Sequence, residues 1–259
     1  MTALGDLTWP EVERLAAAGA VLAVPVGSTE QHGPHLPLST DTDVAVALVN
    51  RLAARRRDVV VAPPVAYGSS GEHAGFAGTI SIGQDAIEMM LVELGRSAAG
   101  TFRHLLFVSA HGGNWEPVTR ATERLCAESR DVLLWEPGGS PGQVSGGSPD
   151  PVPSLTSLPG VAARTPASTP DAHAGRSETS IQLALDPGRV RPGLAEPGNR
   201  TPIAELLPAL RAAGVRAVSP NGVLGDPTGA SAAEGAELLD QLESDLFARV
   251  SAWLEGTPP

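Results

Sequence analysis

At 259 residues, 42% of them hydrophobic, the chain is long enough for one large α/β domain or two small ones and apolar enough for a sizeable core. Its net charge of −11 argues against nucleic acid or an anionic membrane surface as partner, because phosphates attract basic surfaces. Lysine is absent, so every fixed side-chain cation is an arginine, and neither a lysine Schiff base nor a Walker-type phosphate lysine is available.

The opening "MTALGDLTWPEVERL" has no basic region followed by a long apolar run, so no signal peptide is expected. The next stretch, "AAAGAVLAVPVG", is broken by Pro25 and too short to span a bilayer. Within it "AVLAVPV" (20–26) reads as a buried strand, and "TDVAVALVNRLAARR" reads as the helix that follows. "DVVVAPPV" (58–65) is a second strand, halted by its prolines. "QDAIEMMLVELGRSAAG" has helical spacing at Ile87, Met90, Leu91 and Leu94. "HLLFVSA" (104–110) is a strand, "EPVTRATERLCAESR" a helix and "DVLLW" (131–135) a further strand. This helix contains the lone cysteine, Cys126, so no intrachain disulfide forms. A reducing, cytoplasmic setting is the expectation.

From about 137 to 170 glycine, proline and serine dominate, the composition of a flexible loop or lid. Helical patterns resume in "GRSETSIQLALD" and in the long "GASAAEGAELLDQLESDLFARVSAWLEG". Strands alternating with helices predict a three-layer α/β/α sandwich around a mostly parallel sheet. We expect a single domain over 1–259, with polar sites at the carboxyl ends of the strands.

Three polar clusters occupy such positions. After the first strand come Glu30, His32 and Asp41; Glu30 and His32, two apart, project to the same side of an extended chain. "SAHGGNWE" places His111 just past a strand, beside glycines that permit close approach to a ligand. "DAHAGRSETS" places His173 and Glu178 around a helix start. Divalent metals favour mixed carboxylate and imidazole donors, and five such residues suit two ions sharing a bridging carboxylate. Three carboxylates and a hydroxide then balance two divalent cations, which eases burial of the site.

These motifs identify a resemblance. "VPVGSTEQHGPHLPLSTD", "YGSSGEHAGFAGTISI", "SAHGGN", "DAHAGRSETS" and "GVLGDPTGAS", in this order, resemble the creatininase family of amidohydrolases over nearly the whole chain. The resemblance implies a creatininase-like fold, a two-metal centre (Zn, Fe or Mn) and a homo-oligomer, commonly a hexamer. It makes Asp41 the bridge, with Glu30 and His111 completing one site and His32 and Glu178 the other.

There are departures. Creatininase proper has a glutamate two residues after the HGGN-type histidine, where this chain has Gly113. It also has a tryptophan shortly before the "HAG" histidine, a place that here falls in "RTPASTP". Creatinine is therefore not the expected substrate. The opening, the "STEQHGPHLPLSTD" wording and the Gly/Pro-rich loop look most like a peptidase member of the family, one that trims a modified C-terminal dipeptide from a ribosomally made precursor.

On that reading His173 is the catalytic acid for the leaving amine. Glu72, His73, Asn114 and Arg176 are candidate substrate-binding residues, the arginine for a substrate carboxylate. Gln31 and His35 take supporting roles. The rival expectations are a hydrolase of small cyclic amides or formamides, and a non-catalytic binding partner of a maturation complex.

Overall fold

The computed structural model describes residues 1–138 and 171–256. The Gly/Pro/Ser-rich loop expected at 137–170 falls outside the described residues from 139 onward, as does "RTPASTP". In chain order the principal elements are β1 (Thr2–Ala3), α1 (Trp9–Ala17), β2 (Val21–Val26), α2 (Thr40–Arg55), β3 (Val59–Val61), α3 (Gln84–Ala98), β4 (His104–Ser109), α4 (Trp115–Ala127) and β5 (Asp131–Trp135). After the gap come α5 (Arg176–Leu185), α6 (Ile203–Ala213), α7 (Val215–Val218) and α8 (Ala232–Leu254).

All five strands are parallel, in the order β1-β3-β2-β4-β5. Parallel strands buried on both faces read as continuous aliphatic runs, which is how "VLAVPV" and "VVV" appear. Alternate residues feed two cores. Val21, Ala23, Leu106 and Val108 pack with Leu48 and Leu52 of α2, Ile181 of α5 and Leu239 and Leu242 of α8. Leu22, Val24, Leu105 and Phe107 pack on the other face with Ile87 and Leu91 of α3 and Val118 and Leu125 of α4. Each fully buried side chain of this kind contributes about 1.5–3 kcal/mol. The three-layer sandwich is thus present as the alternating pattern predicts.

The helix ends follow local chemistry. Thr8 and Glu11 form a reciprocal capping box that starts α1, with the Thr8 amide 2.7 Å from Glu11 Oε2. Gly235 lets α8 lie directly on α5, since a Cβ there would run into the Ser180 carbonyl. Periodicity alone did not assign β1, α1, α6 or α7. The first is two residues long, whereas α6 carries Ile203, Leu206, Leu207 and Leu210 at helical spacing but has Pro208 in its middle.

Strand register sets where the loops emerge. Val21 pairs with His104 and Val26 with Ser109, so the two central strands end level. The chain leaving β2 and the chain leaving β4 therefore come out side by side at the carboxyl edge of the sheet.

Candidate metal centre

Glu30 and His32 leave β2 in a buried turn, and Asp41 returns in the first turn of α2. His111 follows β4 and Glu178 sits in the first turn of α5. All five converge. His111 Nδ1 is 3.0 Å from Asp41 Oδ2, and its Nε2 is 3.1 Å from Glu30 Oε2. On the other side His32 Nε2 is 3.1 Å from Asp41 Oδ1 and 3.9 Å from Glu178 Oε2. Glu30, Asp41 and His111 form one group of donors, and His32, Asp41 and Glu178 a second, each within 4.8 Å. Asp41 is the shared member and offers one oxygen to each.

The histidines are aimed by backbone carbonyls. His32 Nδ1 is 3.2 Å from the Glu30 carbonyl, His111 Nε2 is 2.8 Å from that of Ser69, and His173 Nε2 is 2.8 Å from that of Gln31. A carbonyl accepts only, so the nitrogen facing it carries a proton and the other nitrogen faces the cluster, able to offer a lone pair once its own proton leaves. Anchoring of this kind is typical of metal-binding imidazoles. Ser28 donates to Asp41 Oδ2 at 2.7 Å and holds the shared carboxylate in place.

Without a cation the arrangement is poorly satisfied. Both Glu30 oxygens are fully buried and have no hydrogen-bond partner. Burial pushes the Glu30 carboxyl up to about 8 and that of Glu178 up to about 7. Burial disfavours charge on His32 and His111 too, yet the adjoining carboxylates win: Asp41 lifts His32 to about 10, and Glu30 and Asp41 hold His111 well above its usual value. Asp41, itself buried, is held well below the carboxylate range by His32 and His111. Protons thus occupy the places of missing positive charge. The orphaned oxygens, the aimed lone pairs and the mixed donor set fit divalent metal ions.

Around this cluster lie the other expected residues. His73 and His173 are buried, and burial drives His73 down to about 3 and His173 well below its usual range, so both are neutral. Gln31 reaches between them, its amide 2.8 Å from His73 Nδ1, while His73 Nε2 approaches Glu30 Oε1 at 3.3 Å. His173 Nδ1 lies 3.9 Å from Glu30 Oε1. Ala174, next to it, takes a left-handed φ of 52°, and its amide donates to Glu178 Oε2 at 2.6 Å, which ties the two functional residues together. His35 contacts Thr179 Oγ1 rather than the cluster.

A cavity opens onto the donors. It is lined by Glu72, His73 and His173 and by an apolar wall that includes Leu207, Leu210 and Leu224. Two of the expected substrate residues lie elsewhere. Asn114 bonds the Gly27 carbonyl and the Ser69 amide, tying the loops after β2 and β3 together. Arg176 forms a two-oxygen ion pair with Glu234. Sequence reading missed Glu136, a cavity-lining carboxyl at the end of β5 that burial pushes up to about 8. The signal was there: it is the acidic residue directly after the strand "DVLLW".

Known proteins share this arrangement of sequence and fold. The family model for creatininase, described as creatinine amidohydrolase, matches residues 5–250. The mycofactocin precursor peptide peptidase of Mycobacterium ulcerans is 42% identical, covering 98% of this chain and 93% of its own length. That of Mycolicibacterium smegmatis is 44% identical, covering 90% and 85%. A creatinine amidohydrolase of Pseudomonas putida is 35% identical over only 43% of this chain and 45% of its own. Among solved structures, a creatininase superposes with a TM-score of 0.75 at 25% identity, covering 100% of this chain and 98% of that one. A manganese form of creatininase gives a TM-score of 0.74 at 25% identity, covering 100% and 99%.

Proposed function

The chain belongs to the creatininase family and is a metal-dependent hydrolase acting on C–N bonds, and from that premise we propose that it is a dinuclear peptidase. Its substrate is the mycofactocin precursor peptide, from which it releases the modified C-terminal dipeptide. The observation that carries this reading is the 42–44% identity to peptidases of that name over nine-tenths or more of the chain. The two donor groups sharing Asp41 support the dinuclear chemistry. Asp41 bridges, Glu30 and His111 hold one ion, and His32 and Glu178 hold the other. The donors suit Zn²⁺, Fe²⁺ or Mn²⁺.

Two bound ions would lower the pKa of a water towards ~7 and polarise the scissile carbonyl. The protein's own part is proton handling and positioning. His173 is neutral, with Nε2–H fixed on the Gln31 carbonyl, so Nδ1 is free to take the proton of the attacking water. The same nitrogen then delivers it to the leaving amine, help worth roughly 10²–10⁴-fold. Neutral His173 enters the cycle as a base, and it becomes the acid only after that first transfer. The apolar wall of α6 gives the substrate side chains a dry surface.

Incubating the metal-loaded protein with modified precursor and following the dipeptide by mass spectrometry tests the proposal. Release supports it; hydrolysis of small cyclic amides with the peptide left intact transfers the site to the rival substrate class. The reading further includes a cytoplasmic homo-oligomer, a hexamer or similar, checked by sedimentation. No helix among the described residues is long and apolar enough to cross a membrane.

A further inference from the structure

One carboxylate beside the cluster belongs to neither of the donor groups that share Asp41. Glu72 stands on the short 3-10 turn Gly71–His73, a loop separate from those that carry the other donors. A ligand atom of Glu72 lies within 4.8 Å of atoms of both Glu30 and His73. Glu30 is the residue whose two oxygens are fully buried and make no hydrogen bond, meeting only the His111 and His73 ring nitrogens at 3.1 and 3.3 Å, so the group contains an unsatisfied acceptor as well as an extra acid.

Gly113 supplies the second observation. A Cβ at this position would collide with Glu72 Oε1 and with the Ser69 carbonyl oxygen, and it would stand 2.6 Å from His111 Nε2. The Glu72 carboxylate therefore occupies the volume that any side chain at 113 would fill, beside His111. Absence of a side chain on one loop gives the carboxylate of another its route to the cluster.

We propose that Glu72 is a further carboxylate of the metal centre, acting on the Glu30–His111 side through the space left by Gly113. The proposal rests on the dinuclear reading. Counting Glu72 also alters the charge balance. Glu30, Asp41, Glu178 and Glu72 together match two divalent ions while the attacking water is still neutral, so the resting centre is balanced before that water ionises.

The test is titration of the metal-free protein with Mn²⁺ or Zn²⁺ against a competing chelator, for wild type, E72Q and D41A. Glu72→Gln preserves shape and removes the charge at a partly exposed position, so folding is expected to survive. E72Q should bind one ion as wild type does and the other about 10–100-fold more weakly, the usual cost of disturbing a metal site's supporting carboxylate. Wild-type affinity for both ions in E72Q overturns the inference, whether or not KM has risen. In that outcome two ions in wild type and their loss in D41A leave the dinuclear reading standing. Fewer than two ions in wild type overturns both.

Discussion

The two central strands run from one kind of burial into another. At their amino ends Val21 and Ala23 of β2 and Leu106 of β4 are fully buried and answered by aliphatic side chains of α2, α5 and α8. A few residues on, Glu30 and His32 are just as fully buried, yet they are answered chiefly by other ionisable groups. Equal burial thus has opposite energetic sign. Removing methyl groups from water stabilises the fold, whereas removing a carboxylate from water costs free energy unless a partner charge is present. The first region holds the sheet together, and the second is held in place by it.

A pair of substitutions probes this contrast most severely. Asp41→Ala removes the shared donor and should lower turnover by about 10³-fold or more, since metal chemistry contributes several kcal/mol to the transition state. Leu48→Ala, in the first region, should instead cost about 2–5 kcal/mol of stability and leave kcat per folded molecule unchanged. Peptide-release kinetics and denaturant titration read both. If D41A kept its turnover, the dinuclear mechanism built on Asp41 would be overturned.

Metal loading accentuates the difference through pH. His32 and His111 have raised pKa values in the metal-free protein, as do Glu30 and Glu178. A raised value means that the folded state keeps its proton longer than the unfolded state, so each proton must leave before an ion binds. Displacing the two imidazolium protons alone makes affinity fall about a hundredfold per pH unit as pH drops below 7. The same sign makes the stability contributed by these groups in the metal-free protein decline as pH climbs through about 8, where Glu30 ionises, and on to about 10, where His32 loses its proton, while the depressed His73 and His173 act in the opposite direction below their ordinary value of 6.5. Bound metal should reverse that trend. Calorimetry in two buffers and thermal melts across pH measure these effects.

A smaller effect belongs to Ser28, whose hydroxyl holds Asp41 Oδ2. Ser28→Ala should weaken metal binding by about 10–100-fold with the fold intact. The smallest concerns Arg176, which was expected at a substrate carboxylate and pairs with Glu234. Arg176→Ala should cost no more than about 1 kcal/mol, because a half-exposed ion pair is screened by water. An unchanged KM would mark it as structural, and a large rise would return it to the substrate.

Much of this was legible in the sequence because each signal was local. Aliphatic runs located the strands, and polar residues soon after two of them located Glu30, His32 and His111. The companions at Asp41 and Glu178 were legible through motif wording, and the structure brings them to the same point. Less local features were lost. Gln31, placed in a supporting role, fills it by turning inward, its amide 2.8 Å from His73 Nδ1, a contact that alternation along the strand does not show. Asn114 looked like a pocket residue from its place in "HGGN", but its amide is taken by two backbone groups. Which partner a polar side chain finds depends on the approach of loops distant in sequence, and no periodicity encodes that.

Everything in the proposed chemistry turns on two divalent ions sharing Asp41. Metal analysis of the purified protein, paired with titration of its metal-free form, is the decisive experiment. Two ions per chain are expected in wild type, with at least one lost in Asp41→Ala and peptide release rising with occupancy of both sites. Full turnover by a protein holding one ion or none would contradict the shared-carboxylate centre.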